Sequence, residues 1–284
     1  MSQMDLFENT NSERPEKIGH SNIYYKDVST LLNKTSGFMA DYDFSLNPYS
    51  GCAFGCSYCY AAFFTMDKTQ FDDWGYWVNV KQNALSLLKK FRKKPLIGKK
   101  IYMSSVTDPY QPVERKTELT RSILKELLEY HQPRLVIQTR STLVTRDIDL
   151  FKQFKNIQVN MTITTDSEVV RKTFEPLCSN NQSRLDAIKK VNDAGIQSCI
   201  TMTPLLPVDD PHLFAQTLLD TRIEHFVIQP FHKDRGKFTA GTRQAALELF
   251  QNYKWDEIKY KEVENIIKQY IPSLGIGKEG FEPI

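Results

Sequence analysis

The 284-residue chain has no stretch near the roughly 20 consecutive apolar residues that a membrane-spanning helix needs. Its first residues, MSQMDLFENTNSERPEK, are acidic and polar where a signal peptide is apolar, so a cytoplasmic protein is expected. Cysteine is scarce and odd in number, five in all, which argues against a disulfide framework. Charge of one sign is also lacking. The 37 Lys and Arg nearly balance 34 Asp and Glu, and the formal excess of +3 is too small for bulk attraction to nucleic acid. No repeat, low-complexity tract or Gly/Ser linker divides the chain. At 40% hydrophobic residues it can bury a sizeable core, and one domain is the simpler reading.

What the chain does have is a rhythm. After a polar lead-in over residues 1–40, strand candidates fall at Asp43 to Leu46, Ile101 to Val106, Leu135 to Gln138, Ile157 to Ile163, Ile196 to Met202 and Phe226 to Ile228. Helical spacing separates them: Val80, Ala84, Leu87, Leu88 and Phe91 share one face, as do Leu119, Ile123 and Leu127, and then Leu185, Ile188 and Val191, ending at Gly195. Strands alternating with helices imply parallel crossovers. Six units predict an α/β fold, a partial TIM-like (β/α)6 barrel over residues 41–235, with a helical extension over 236–284 packed on it. Sites in such folds assemble where strands end. Here those ends carry Cys52, Cys56 and Cys59; Thr107 and Asp108; Thr139, Arg140 and Ser141; and Thr164, Thr165 and Asp166.

Three of the five cysteines crowd into NPYSGCAFGCSYCYA with the spacing C-x3-C-x2-C. Three thiolates on one loop can hold three corners of a [4Fe-4S] cluster and leave one iron without a protein ligand. Gly51 and Gly55 suit the tight backbone this requires. Structural zinc takes four ligands, commonly as two paired half-sites, and there is no second C-x2-C. A two-cysteine redox centre has no use for the third thiol. Cys178 and Cys199 are expected to be structural thiols.

With Tyr58 immediately before Cys59, the cysteine loop resembles the signature of the radical S-adenosylmethionine (SAM) superfamily. The segments SSVTDPYQPVERKTELTR, TRSTLVTRDIDL, FEP and SRLDAIKKVNDAGI, in that order, are similar to its spore photoproduct lyase-like branch, across about two thirds of the chain. The resemblance implies a radical SAM enzyme with a [4Fe-4S] cluster on Cys52, Cys56 and Cys59. It also implies reductive cleavage of SAM to a 5'-deoxyadenosyl radical, hydrogen abstraction from a substrate, and a flavodoxin- or ferredoxin-like electron donor. It places Tyr58 against adenine, Thr107 and Asp108 at the SAM ammonium, Arg140 and Ser141 at its carboxylate, and Thr164 at the ribose. Glu175 and Arg184 are expected to pair in support.

The chain departs from that branch at two places. Phe54 stands where a His is common after the first cysteine, and Ser104 and Ser105 stand where the lyase has a hydrogen-donating cysteine. An O–H bond is a poor hydrogen-atom donor, so genuine photoproduct repair is not expected. The substrate is open between nucleic acid and a small molecule or peptide. For nucleic acid speak the seven positive charges from Lys89 to Lys100 and the aromatics Trp74, Tyr76 and Trp77. Against it, the charges also read as a solvated helix end and the aromatics as packing. The alternative to catalysis is a module in which a cluster or zinc only braces the loop.

Overall fold

The computed structural model describes residues 14–65, 67–231 and 244–281. The start of the lead-in, residues 1–13, and residues 236–243 and 282–284 of the expected helical extension lie outside them. Among the described residues twelve strands form two sheets: β1 (Lys17–Ile18), β2 (Ser21–Lys26), β3 (Leu32–Lys34), β4 (Phe44–Leu46), β5 (Tyr49–Gly51), β6 (Trp77–Lys81), β7 (Lys100–Met103), β8 (Arg134–Thr139), β9 (Asn156–Thr162), β10 (Gln197–Met202), β11 (His225–Ile228) and β12 (Gly275–Ile276). The larger has the order β12-β11-β10-β9-β8-β7-β4-β3. Its strands β4 and β7 to β11 run parallel to one another. They are the six expected from the sequence, in chain order, the second ending early at Met103. The edges β3 and β12 do not meet, which makes the barrel partial.

Strand periodicity divides the core. Ile101 and Met103 belong to the large cluster beneath the helices, whereas Tyr102 and Val136 form a small separate cluster with Tyr42. Polar groups continue from that second cluster. The Tyr102 hydroxyl donates to Gln138 (2.9 Å), whose amide donates to Thr162 (2.7 Å) and Thr201 (2.9 Å). Phe281 packs edge-on against Tyr102.

The helices are α1 (Lys68–Asp72), α2 (Ala84–Lys89), α3 (Glu114–Thr117), α4 (Leu119–Glu126), α5 (Ile148–Phe151), α6 (Glu168–Phe174), α7 (Asn181–Asp193), α8 (Pro211–Leu219), α9 (Gln244–Asn252) and α10 (Glu257–Tyr270). Their starts are written locally. Ser167, Asn180, Asp210 and Asp256 each accept a backbone N–H of the first turn, and Pro211 opens α8. Helix α7 ends as expected, with Gly195 at φ +82°. Among the described residues no helix is long and apolar enough to cross a membrane.

Two local expectations are corrected. Val80 is not part of the helix carrying Ala84 and Leu88. It lies in β6, opposite Tyr25 on one side and Tyr49 on the other. The apolar residues of Trp77–Lys81 fit both periods, and strand partners far along the chain decided between them. Within the expected helical extension, Gly275 is in a strand instead, paired with Val227.

Candidate active site

The cysteine loop follows β5 and needs its glycines. Gly51 has φ +76°, and a Cβ there would lie 2.6 Å from the Trp77 ring and carbonyl oxygen. Gly55 has φ +55° and faces the Gly75 backbone, which a Cβ would approach to 3.1 Å. Trp74 and Trp77 are buried in this packing, so they are structural; Tyr76 alone of the three aromatics is exposed. The loop is then pinned from below. Thr107 donates to the Gly51 carbonyl (2.6 Å), Gln111 accepts from the Ala53 N–H (2.9 Å), and Ser57 N–H reaches the Phe174 carbonyl at the end of α6 (2.9 Å). Cys52 and Cys56 are buried and Cys59 is half-buried. Phe54 is buried in the main core.

A buried ion network stands against Cys56. Arg140, just past β8, directs Nη1 to Cys56 Sγ (2.8 Å), the Tyr58 hydroxyl (2.9 Å) and Glu175 Oε1 (3.2 Å). Arg184, in the first turn of α7, pairs with Glu175 Oε2 at 2.8 Å, as the sequence led one to expect. Tyr58 also donates to Glu175, and Thr164 Oγ donates to it at 3.2 Å. Burial works against the Glu175 carboxylate, but Arg184 and Arg140 hold its pKa below the ordinary glutamate value. The thiols differ from one another. Burial pushes Cys52 well up, with Asp108 adding to the rise, whereas the neighbouring Cys178 thiol and Arg140 bring Cys56 down against its burial.

Asp108 follows β7 and is fully committed to the protein. Its Oδ1 accepts from Thr139 Oγ and the Tyr110 N–H, and its Oδ2 from the Arg140 N–H, all at 2.8 Å. It therefore fixes the backbone of Arg140. Burial raises its pKa. Ser141 is buried and accepts the Leu143 N–H (3.3 Å), capping the turn after β8.

Several residues of this end were not singled out from the sequence. Glu114, buried at the start of α3, receives the Tyr49 hydroxyl, the Thr120 N–H (2.8 Å) and Arg146 Nη2 (2.6 Å). Asp147 then joins Arg146 (2.9 Å) to Arg121 (2.6 Å). This chain ties β5, which carries the cysteine loop, to the loops after β7 and β8. The signal was available, because all four lie inside the motif segments, but their mutual contact is a product of folding. Cys178, expected to be a remote structural thiol, has its Sγ 3.8 Å from that of Cys56. Cys199 is buried in β10, as expected.

The donor set fits an iron–sulfur cluster: soft thiols on one short loop, partly buried, with a guanidinium against one of them. Among the described residues no three Cys, His, Asp or Glu side chains converge around a single-ion position.

Fold and loop together define a partial (β/α) barrel with a cysteine-bearing loop at the carboxyl ends of its strands, and the Radical SAM superfamily model matches residues 46–220. The chain belongs to the radical SAM superfamily and is a radical SAM enzyme. It is 40% identical over 184 residues to an uncharacterized protein of Methanocaldococcus jannaschii, covering 64% of this chain and 68% of the relative. An uncharacterized protein of Acidianus two-tailed virus is 25% identical over 262 residues, covering 87% and 81%. Among solved structures, a spore photoproduct lyase mutant superposes with a TM-score of 0.65 at 16% identity, covering 94% of this chain and 87% of the lyase. Another lyase mutant, with dinucleoside spore photoproduct, gives the same TM-score and identity over 90% and 81%. These similarities extend the fold likeness beyond the family match, into the lead-in and tail.

Proposed function

We propose that Cys52, Cys56 and Cys59 hold a [4Fe-4S] cluster with one iron left to SAM. The observation that carries this reading is the arrangement of three thiols on one loop, pinned over the strand ends by Thr107 and Gln111, with Arg140 on Cys56. When bound, the cluster and SAM supply a 5'-deoxyadenosyl radical for hydrogen abstraction, given an electron from a flavodoxin- or ferredoxin-like donor.

The chain's own residues hold and orient. Arg140 engages the protein through Nη1, which leaves the rest of its partly buried guanidinium for the SAM carboxylate, with Ser141 beside it. Tyr58 offers a ring edge to adenine while Glu175 fixes its hydroxyl. Asp108 and Thr164, whose polar atoms bond to the protein, act by positioning Arg140 and Glu175. Thr107 sets the height of the loop. Anaerobic purification with iron and sulfide analysis, followed by assay of 5'-deoxyadenosine from SAM and a reductant, tests the reading. A colourless zinc protein inert to SAM overturns it.

For the substrate we favour unpaired nucleic acid. Tyr60, Phe63 and Phe64 follow Cys59 directly and are exposed, and such faces accept stacked bases. The structural neighbour with dinucleoside photoproduct is consistent with that class. Photoproduct reversal itself is not proposed, given Ser104 and Ser105. Binding of single-stranded DNA or RNA should weaken steeply with salt and weaken again in Phe64→Ala; affinity indifferent to both would point to a small molecule or peptide.

A further inference from the structure

The network around Glu175 is unbalanced by one charge. Two guanidiniums, Arg140 and Arg184, share a single carboxylate, and all three groups are wholly or largely buried. Arg184 is spent on Glu175, the Asn181 side chain (2.8 Å) and the Thr162 carbonyl (3.0 Å). The surplus positive charge therefore rests on Arg140. Of the groups Arg140 touches, Cys56 is the one that becomes an anion on binding iron. Cys56 therefore has a cation hydrogen-bonded directly to its sulfur.

We infer that Arg140, held by Glu175, Tyr58 and the Asp108-bound backbone, is a positioning residue that donates to the Cys56 thiolate and sets the potential at which the cluster takes up its electron. This inference rests on the cluster reading above. Reduction adds one electron and no proton, making the cluster and its thiolates more negative by one unit. A guanidinium hydrogen-bonded to a ligand sulfur stabilises that reduced form more than the oxidised one, and in a buried setting water screens it weakly. Glu175 acts in the opposite sense as a charge, but its hydrogen bonds keep Arg140 from turning away to solvent. The same residue is placed to meet the SAM carboxylate, so cofactor binding and cluster potential share one cation.

The test is a dye-mediated reductive titration of the loaded enzyme without SAM, followed by EPR of the reduced cluster, with iron and sulfide counted in every sample. In Arg140→Gln the reduced-to-oxidised ratio at fixed potential should fall about tenfold, equivalent to about 59 mV for one electron. Arg140→Lys should recover part of that loss, because it keeps the charge but not the fork. Glu175→Gln, which retains hydrogen bonding and removes a negative charge, should shift the ratio the other way. If Arg140→Gln loads no cluster, the Arg140→Lys and Glu175→Gln titrations still decide. Loaded variants that all titrate within twofold of wild type overturn the inference and leave the cluster reading intact. A wild-type protein that binds no iron overturns both.

Discussion

At the carboxyl ends of the strands Asp108, Glu114 and Glu175 are buried, and each carboxylate is met by N–H, hydroxyl or guanidinium donors from other elements. At the amino ends, in the segment leading into β7, Lys90, Lys93, Lys94 and Lys99 are exposed. There Lys99 pairs with Asp43, and Arg92 pairs with Glu126 and lies over the Tyr130 ring. Both ends are rich in charge, but at the amino end Glu126 is buried against Arg92 while the lysines stay in solvent. Buried charges tolerate no loss of a partner, whereas solvated ones are worth little individually. The basic run noticed in the sequence is therefore on the far side of the barrel from the cysteine loop, and it reads as a solvated surface rather than the substrate face.

The largest expected effect is at the loop itself. Cys56→Ala should lose both the cluster and SAM cleavage, by iron analysis and 5'-deoxyadenosine assay, and retention of either contradicts the ligand assignment. Next comes Glu175→Ala, which leaves two buried guanidiniums without their carboxylate. Urea unfolding should show a loss of about 3–5 kcal/mol, and a loss below 1 kcal/mol would erase the contrast between the two ends. Acid titration sharpens the same point. The folded-state pKa of Glu175 lies below the ordinary value of 4.5, so its contribution is present above that pH and is lost as pH falls through the lower folded value. Glu175→Gln should flatten the fall of stability below pH 4.5, and an unchanged slope would deny Glu175 that role. The smallest effect belongs to the amino end: Lys93→Gln and Lys94→Gln should each stay within about 0.5 kcal/mol of wild type and leave SAM cleavage unaltered.

Much of this protein is legible along the chain. The six parallel strands announce themselves by apolar runs and alternation, α7 by its period and its glycine stop, and the cysteine loop by its spacing. Each of these signals is carried by residues close in sequence. The small sheet is different: β2 pairs with β6 across more than fifty residues, and the polar segment that supplies β2 carries no such pattern. Val80 was misread for that reason. Among site residues, Glu175 and Arg184 were visible as a pair because they lie nine positions apart around one helix start. The Tyr49–Glu114–Arg146–Asp147 chain was not, since its members come from β5, α3 and the turn after β8, far apart in sequence.

The sequence alone determined the fold class, the cysteine loop and the catalytic family, because strand period, C-x3-C-x2-C spacing and glycine placement are local. Only the tertiary structure decided that Asp108 serves the backbone of Arg140, that Cys178 lies against Cys56, and that a surplus guanidinium charge faces one thiol of the three. Those facts depend on which loops meet over the sheet and on burial. Partial burial turns an ordinary arginine near a cysteine into a charge that water screens only weakly.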